Sequence, residues 1–175
     1  MFMKKIQIGV MGSAADLNYS KEALLFAQKL GEEIANSGNL LVYGAESDYT
    51  SLSTEAAKVA SKKGGITIGV AGGKKKKLYG KYRPTVLISS GQDIGGGREF
   101  VLVTSCDVII ALGGGSGTLT EIAIAYQAGI PIIVVDQFGG WSRELADRYL
   151  DDRCREKCLV AKTPKEAVCL AIQQV

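Results

Sequence analysis

The sequence predicts an α/β fold, a doubly wound, mostly parallel sheet with helices on both faces. Three observations predict it. Short apolar runs alternate with helix-period segments from one end of the chain to the other. Most of those runs are continuously apolar instead of alternating, as in strands buried on both faces of a parallel sheet. And 175 residues, 46% of them hydrophobic, suit one domain with enough interior to cover a sheet twice. No internal repeat or linker interrupts the pattern, so residues 1–175 are expected to form a single domain.

In chain order, "IQIGVMG" (6–12) is the first expected strand. Ser20 caps a helix running to about Ser37, with Leu24, Ala27, Leu30 and Ile34 as its apolar stripe and Gly38 as its stop. "NLLVYG" (39–44) is the second strand, followed by a helix from about Ser53 to Lys63 that ends at Gly64 and Gly65. "ITIGVA" (66–71) and "TVLIS" (85–89) are strands separated by one long loop, 72–84. A helix over Arg98 to Ser105 leads into "DVIIAL" (107–112), and a helix over Thr118 to Ala128 leads into "IPIIVV" (130–135). Trp141 to Arg155 reads as a polar amphipathic helix, and "CLVAK" (158–162) as the last strand. Thr163, Pro164 and Glu166 are the cap, first-turn proline and capping-box acid of a final helix.

Composition narrows the chemistry. There is no histidine, which removes Ser-His-Asp and Cys-His mechanisms and the commonest zinc ligand. Cys106, Cys154, Cys158 and Cys169 form no CxxC pair; Cys154 and Cys158, four apart, fit one helix face but do not complete a tetrahedral site, so reduced structural thiols and no metal are expected. No apolar stretch approaches the ~20 residues of a membrane span, and "IQIGVMG" is too short for a secretory core, which leaves the cytoplasm by default. The net charge of +3 is concentrated in Lys74 to Lys77. Such a run is usually a solvated loop; one basic cluster is a weak nucleic-acid footprint, so nucleic acid is not the expected partner.

In a doubly wound sheet, ligands bind beyond the carboxyl ends of the strands. After the first strand, Gly12 and Ser13 allow close backbone approach and one hydroxyl contact, or make a simple turn; no GxGxxG follows, which disfavours a dinucleotide oxidoreductase. After "DVIIAL" come Gly113, Gly114, Gly115, Ser116 and Gly117, with Thr118 starting a helix. Unpaired N–H groups and the dipole at that helix start attract an anion, so a phosphate or carboxylate is the expected guest. No Lys-Ser/Thr follows, so this is not a nucleotide-hydrolysing P-loop. Thr118 and Glu121 have the spacing of a capping box, and from spacing alone capping is the reading of Glu121.

The stretch "GREFVLVTSCDVIIALGGGSGTLTEIAIAYQAGIPIIVV" (97–135) resembles the core of the LOG (Lonely Guy) or lysine-decarboxylase-like superfamily, which includes nucleotide 5'-monophosphate phosphoribohydrolases and molybdenum-cofactor carrier proteins. Arg98, Asp107, Gly114, Gly115, Gly117, Thr118 and Glu121 fall on the superfamily's motif without a gap. Weaker similarity extends to "VMGS" (10–13), "LVYG" (41–44) and "GIPIIVVDQFGGW" (129–141). The resemblance implies a Rossmann-like fold, a phosphate at the glycine loop, a homodimer or larger homo-oligomer and, in the hydrolases, an arginine and a glutamate at the N-glycosidic bond. Carried over, these would be Arg98 and Glu121. This chain departs at Glu99, where the hydrolases have lysine, at Leu102 for methionine, at Gly113 for proline, and at "AESDYTSLS" (45–53) in place of a glycine-rich loop. Glu99 would repel phosphate if turned inward.

These departures direct the reading to the carrier-like branch: a phosphate-bearing nucleotide or molybdenum cofactor-like pterin, bound by Gly12, Ser13, Gly44, Arg98, Gly113, Gly114, Gly115, Ser116, Gly117 and Thr118 and not cleaved. No cofactor is otherwise required. The alternative is hydrolysis of a nucleoside monophosphate by Arg98 and Glu121. Without the resemblance, Arg98 would read as a surface ion-pair residue.

Overall fold

A computed structural model describes residues 4–14, 18–73, 77–93 and 97–175. Lys74 to Lys76 of the basic run, and Ala15 to Leu17 after the first strand, lie outside the described residues. Among the described residues, seven strands, β1 (Gln7–Gly12), β2 (Leu40–Ala45), β3 (Thr67–Ala71), β4 (Val86–Ser89), β5 (Val108–Leu112), β6 (Ile132–Val135) and β7 (Cys158–Val160), form one sheet in the order β4-β3-β2-β1-β5-β6-β7. Every neighbouring pair is parallel. The apolar runs are therefore strands buried on both faces; β4, at the edge, leaves Val86 and Ile88 exposed.

Among the described residues, six α-helices flank the sheet: α1 (Lys21–Asn36), α2 (Leu52–Lys62), α3 (Gly97–Thr104), α4 (Ser116–Ala128), α5 (Gly140–Glu144) and α6 (Pro164–Gln173). Ala23, Phe26, Ala27, Leu30 and Ile34 of α1 recur at helical spacing and pack, with α2 and α6, on Ile8, Val10, Leu41, Tyr43, Ile110 and Val135. Leu102 and Val103 of α3 and Ile122, Ala125 and Tyr126 of α4 cover the other face, against Met11, Val42, Val70, Ile109 and Val134. Removing these side chains from water supplies the main drive for the three-layer arrangement. None of the described helices is long and apolar enough to cross a membrane.

Several expected boundaries change. α2 begins at Leu52, because Ser51 accepts from the N–H of Thr54 and so caps it. α4 begins at Ser116 with Gly115 as its cap, which has no side chain to offer. Thr118 and Glu121 are thus both inside the helix, and the capping box expected of them does not form. Thr163 does cap α6, accepting from the N–H of Glu166, whose carboxylate turns back to the N–H of Lys162.

The helix expected over Trp141 to Arg155 is the largest correction. A 3-10 turn (Asp136–Phe138) leads into α5, which ends at Glu144. Asp147 then takes a left-handed conformation (φ 59°), its N–H donates to the carbonyl of Cys158, and the N–H of Cys158 donates to Arg148. Pairing beside β7 offers this backbone partners that outweigh its helical pattern. Cys154 is exposed on a turn and Cys158 is buried in β7, so they share no helix face; all four cysteines are free thiols.

Candidate functional site

The chain winds outward in one direction from β1 and in the other from β5, so strand order reverses between them, and a crevice opens above their carboxyl ends. Gly12 ends β1 there. Leu112 ends β5 and passes straight into the glycine loop.

The loop's path is held from two sides. The N–H of Gly114 donates to the hydroxyl of Ser13 at 2.8 Å, while the carbonyls of Gly113 and Gly114 accept from the N–H groups of Ser142 and Trp141 at 3.0 and 3.1 Å. Gly113 and Gly114 both have positive φ, 61° and 96°, and a Cβ on Gly114 would lie 2.3 Å from that of Thr118. Proline cannot adopt the Gly113 conformation, because its ring fixes φ near −65°. The departure from the superfamily's proline is therefore matched by a different local backbone.

The first internal hydrogen bond of α4 runs from the N–H of Leu119 to the carbonyl of Gly115. The N–H groups of Ser116, Gly117 and Thr118 thus have no partner further back in the helix, and the positive end of the helix dipole faces the crevice. These three residues, with Gly12, Ala14 and Gly115, line a cavity of about 210 Å³ whose remaining wall is Glu46, Tyr49, Arg98, Glu99 and Glu121.

That wall is a cluster of one cation and three carboxylates. The Nη2 of Arg98 stands 3.0 Å from Glu46 Oε1 and 3.0 Å from Glu99 Oε1. Arg98 is buried, so it is not a surface ion-pair residue, and Glu99 points inward too. Burial pushes the carboxyl of Glu121 up to about 8 despite the opposing pull of Arg98, with Glu99 and Glu46 adding to the rise. Glu46 is also raised by burial, against the pull of Arg98. Burial disfavours the charge on Arg98, but Glu46, Glu99 and Glu121 together hold its pKa above the ordinary value. At neutral pH, Glu121 is a neutral hydrogen-bonding group beside an ion-paired guanidinium.

The expected residues divide by what they do. Gly12, Arg98, Gly115, Ser116, Gly117, Thr118 and Glu121 share the cavity. Gly44 seats Arg98: a Cβ there would stand 2.0 Å from its Nη1. Ser13 and Gly114 line a second cavity of about 510 Å³ across the Gly115 backbone, with Tyr19, Leu52, Gln137, Phe138, Gly139, Gly140 and Arg143. Gly113 lines neither and shapes the loop. Asp107 is at the other end of β5, where its carboxylate accepts from the N–H of Gln7 and pairs with Lys4.

Glu46, Tyr49 and the Phe138 to Arg143 segment were not expected at the site. Glu46 had one signal, an acid directly after a strand end in a sheet whose strand ends carry function. Arg143, which donates to the carbonyls of Asp136 and Gln137, had none.

This is the layout of a Rossmann-like protein with its cleft at the switch point of the sheet. Within that class, the chain belongs to the SLOG cluster4 family, which it matches over residues 5–168. The membership bears out the LOG resemblance read from residues 97–135. An uncharacterised protein of Archaeoglobus fulgidus is 35% identical over 127 residues, 73% of this chain and 78% of the relative. Among solved structures, the chain is similar to TM1055 (28% identity, TM-score 0.84, 98% of this chain and 100% of the other). It is also similar to the molybdenum cofactor carrier protein of Chlamydomonas reinhardtii (28%, TM-score 0.76) and to the molybdenum cofactor binding protein of the phototrophic bacterium Rippkaea orientalis (28%, TM-score 0.78), each over 98% of both chains.

Proposed function

We propose that this protein binds and carries a phosphate-bearing small molecule, a nucleotide or a molybdenum cofactor-like pterin, with the phosphate on the N–H groups of Ser116, Gly117 and Thr118. The observation that carries the reading is the N-terminus of α4, opened by a glycine loop into a cavity where Arg98 is buried with Nε and Nη1 unpartnered among the described residues. A phosphate there takes its hydrogen bonds from backbone groups that are already in place. The larger part of the ligand extends over Gly115 toward Tyr19, Phe138 and Arg143. Likeness to two proteins described as carrying or binding molybdenum cofactor supports the pterin as one candidate.

Calorimetric titration with inorganic phosphate, AMP and GMP tests this reading, together with loading by molybdopterin. Binding that is abolished in Gly115→Asp, which sets a carboxylate at the helix start, is the expected result. No binding of any of these ligands, or unchanged binding by the variant, overturns it.

Hydrolysis of a nucleoside monophosphate is the second reading, favoured by the electrostatic coupling of Glu121 to Arg98. Its weakness is chemical: a carboxyl held at about 8 is protonated at neutral pH and donates a proton instead of activating water. Incubation with AMP and N6-modified AMPs is expected to release neither free base nor ribose 5-phosphate. Turnover that Glu121→Gln abolishes would replace the carrier reading.

A further inference from the structure

Three buried polar atoms on the wall of the first cavity have no hydrogen-bond partner among the described residues: Oε2 of Glu46 and Nε and Nη1 of Arg98. The two side chains come from separate elements, the loop after β2 and the first turn of α3. The 3.0 Å contact between Arg98 Nη2 and Glu46 Oε1 locks them together. This contact leaves the second carboxylate oxygen as an acceptor and the rest of the guanidinium as donors.

A phosphate alone cannot complete the set. Above the second pKa of a phosphate ester, about 6, its oxygens accept from Arg98 and from the N–H groups of α4, but they offer no donor to Glu46, and their charge is repelled by it. The missing complement is a group that accepts from Arg98 and donates to Glu46. A hydroxyl does both; so does a ring N–H next to a carbonyl or ring nitrogen. A cavity of about 210 Å³ is smaller than the roughly 300 Å³ at which pockets for whole drug-sized ligands begin. The group therefore lies directly beside the phosphate.

We propose that Glu46 is a specificity-determining residue: with Arg98 it reads, next to the phosphate on α4, a ligand group that both donates and accepts a hydrogen bond, so the protein selects phosphate esters carrying such a group over simple phosphate. The inference rests on the phosphate-binding reading above. Gln at position 46 keeps the size of the side chain and the acceptor for Arg98, but replaces the acceptor facing the ligand with a donor and removes the charge.

The test is calorimetric titration of the full chain at pH 7.5 with methyl phosphate, whose dianion has no hydrogen-bond donor, ribose 5-phosphate and 6-hydroxymethylpterin phosphate, in the native protein, Glu46→Gln and Glu46→Asp. The native protein is expected to bind one of the two larger esters at least about tenfold more tightly than methyl phosphate, the effect of one hydrogen bond to a charged group. Which ester is preferred tells a sugar hydroxyl from a ring N–H. Glu46→Gln is expected to bind methyl phosphate at least as well as the native protein while its preference for the larger ester collapses toward one; Glu46→Asp retains part of it. No preference for a larger ester in the native protein, a preference that survives in Glu46→Gln, or an equal loss for all three ligands overturns the inference and leaves phosphate binding standing. Failure of the native protein to bind any of the three overturns both.

Discussion

Glu121 contributes to stability in a direction opposite to that of an ordinary paired carboxylate. Its folded value of about 8 lies above the ordinary 4.5, so the native state holds a proton that the unfolded chain has released across that interval. The contribution is complete below about 4.5, declines as pH rises and is gone above about 8, with a slope of at most about 1.4 kcal/mol per pH unit. Urea denaturation from pH 5 to 9 is expected to show this decline in the native protein. It should be absent from Glu121→Gln, whose side chain mimics the protonated acid; equal slopes in both would show that Glu121 does not hold the proton. Gly44 makes a second prediction. Its alanine variant drives a methyl into Arg98 and should cost about 1–3 kcal/mol, as overpacking does, measured by the same method. In an Arg98→Met background the cost should shrink, since the clashing nitrogen is gone. Arg98 and Glu121 were both visible as members of one motif. Their burial was not, because an arginine in a polar turn reads as solvated until the topology sets β2 and α3 side by side. Glu46 was hidden for the same reason, as one acid in the polar string "AESDYTSLS".

Among the elements, α5 does more than its length suggests. Its first N–H groups hold the carbonyls of Gly113 and Gly114, so the shape of the glycine loop depends on a segment some 27 residues further along the chain. Gly140 allows this approach: it has φ 60°, and a Cβ there would stand 2.4 Å from the carbonyl oxygen of Gly114. The three nearest atoms, all within 2.8 Å, belong to the backbone of Gly113 and Gly114, which cannot swing aside as a side chain can. Gly140→Ala is therefore expected to cost more than Gly129→Ala, where φ is also positive (68°) but nothing lies within 4 Å, and the penalty is only the roughly 1–2 kcal/mol of a left-handed alanine. Thermal melts of the two variants, with phosphate titrations, check this; Gly140→Ala should lose phosphate affinity and Gly129→Ala should keep it. The seven strands and the start of α1 were legible because apolar runs and a serine cap are local signals. The segment after Trp141 was not: its polar pattern fits a helix, and only hydrogen bonds to β7 and to the glycine loop, which are contacts at long range in sequence, direct it elsewhere.

For the whole molecule, the position of the crevice couples ligand to global stability. β1 to β4 wind to one side and β5 to β7 to the other, and the first cavity takes Gly12 and Glu46 from one half and Ser116 to Glu121 from the other. A ligand held there touches both halves and is lost when either unfolds, so its binding free energy adds to the stability of the whole sheet and the helices packed on it. At a hundredfold excess over its dissociation constant a ligand adds about 2.7 kcal/mol, which for a chain of this size raises the melting temperature by roughly 5–10 °C. Phosphate is expected to produce such a rise at pH 6, where Glu121 is protonated, and a smaller one at pH 9, where the cluster of Glu46, Glu99 and Glu121 carries one more negative charge beside the bound anion. Scanning fluorimetry over phosphate concentration at the two pH values makes the comparison. Phosphate loses its own second proton near pH 7, so the comparison is made between proteins. Glu121→Gln should remove the part of the pH dependence that comes from Glu121 and leave the part that comes from the ligand, with the helix start intact. A pH dependence of the phosphate shift that is the same in the native protein and in Glu121→Gln would mean that the anion rests on α4 without sensing that carboxyl, and would place it away from Arg98.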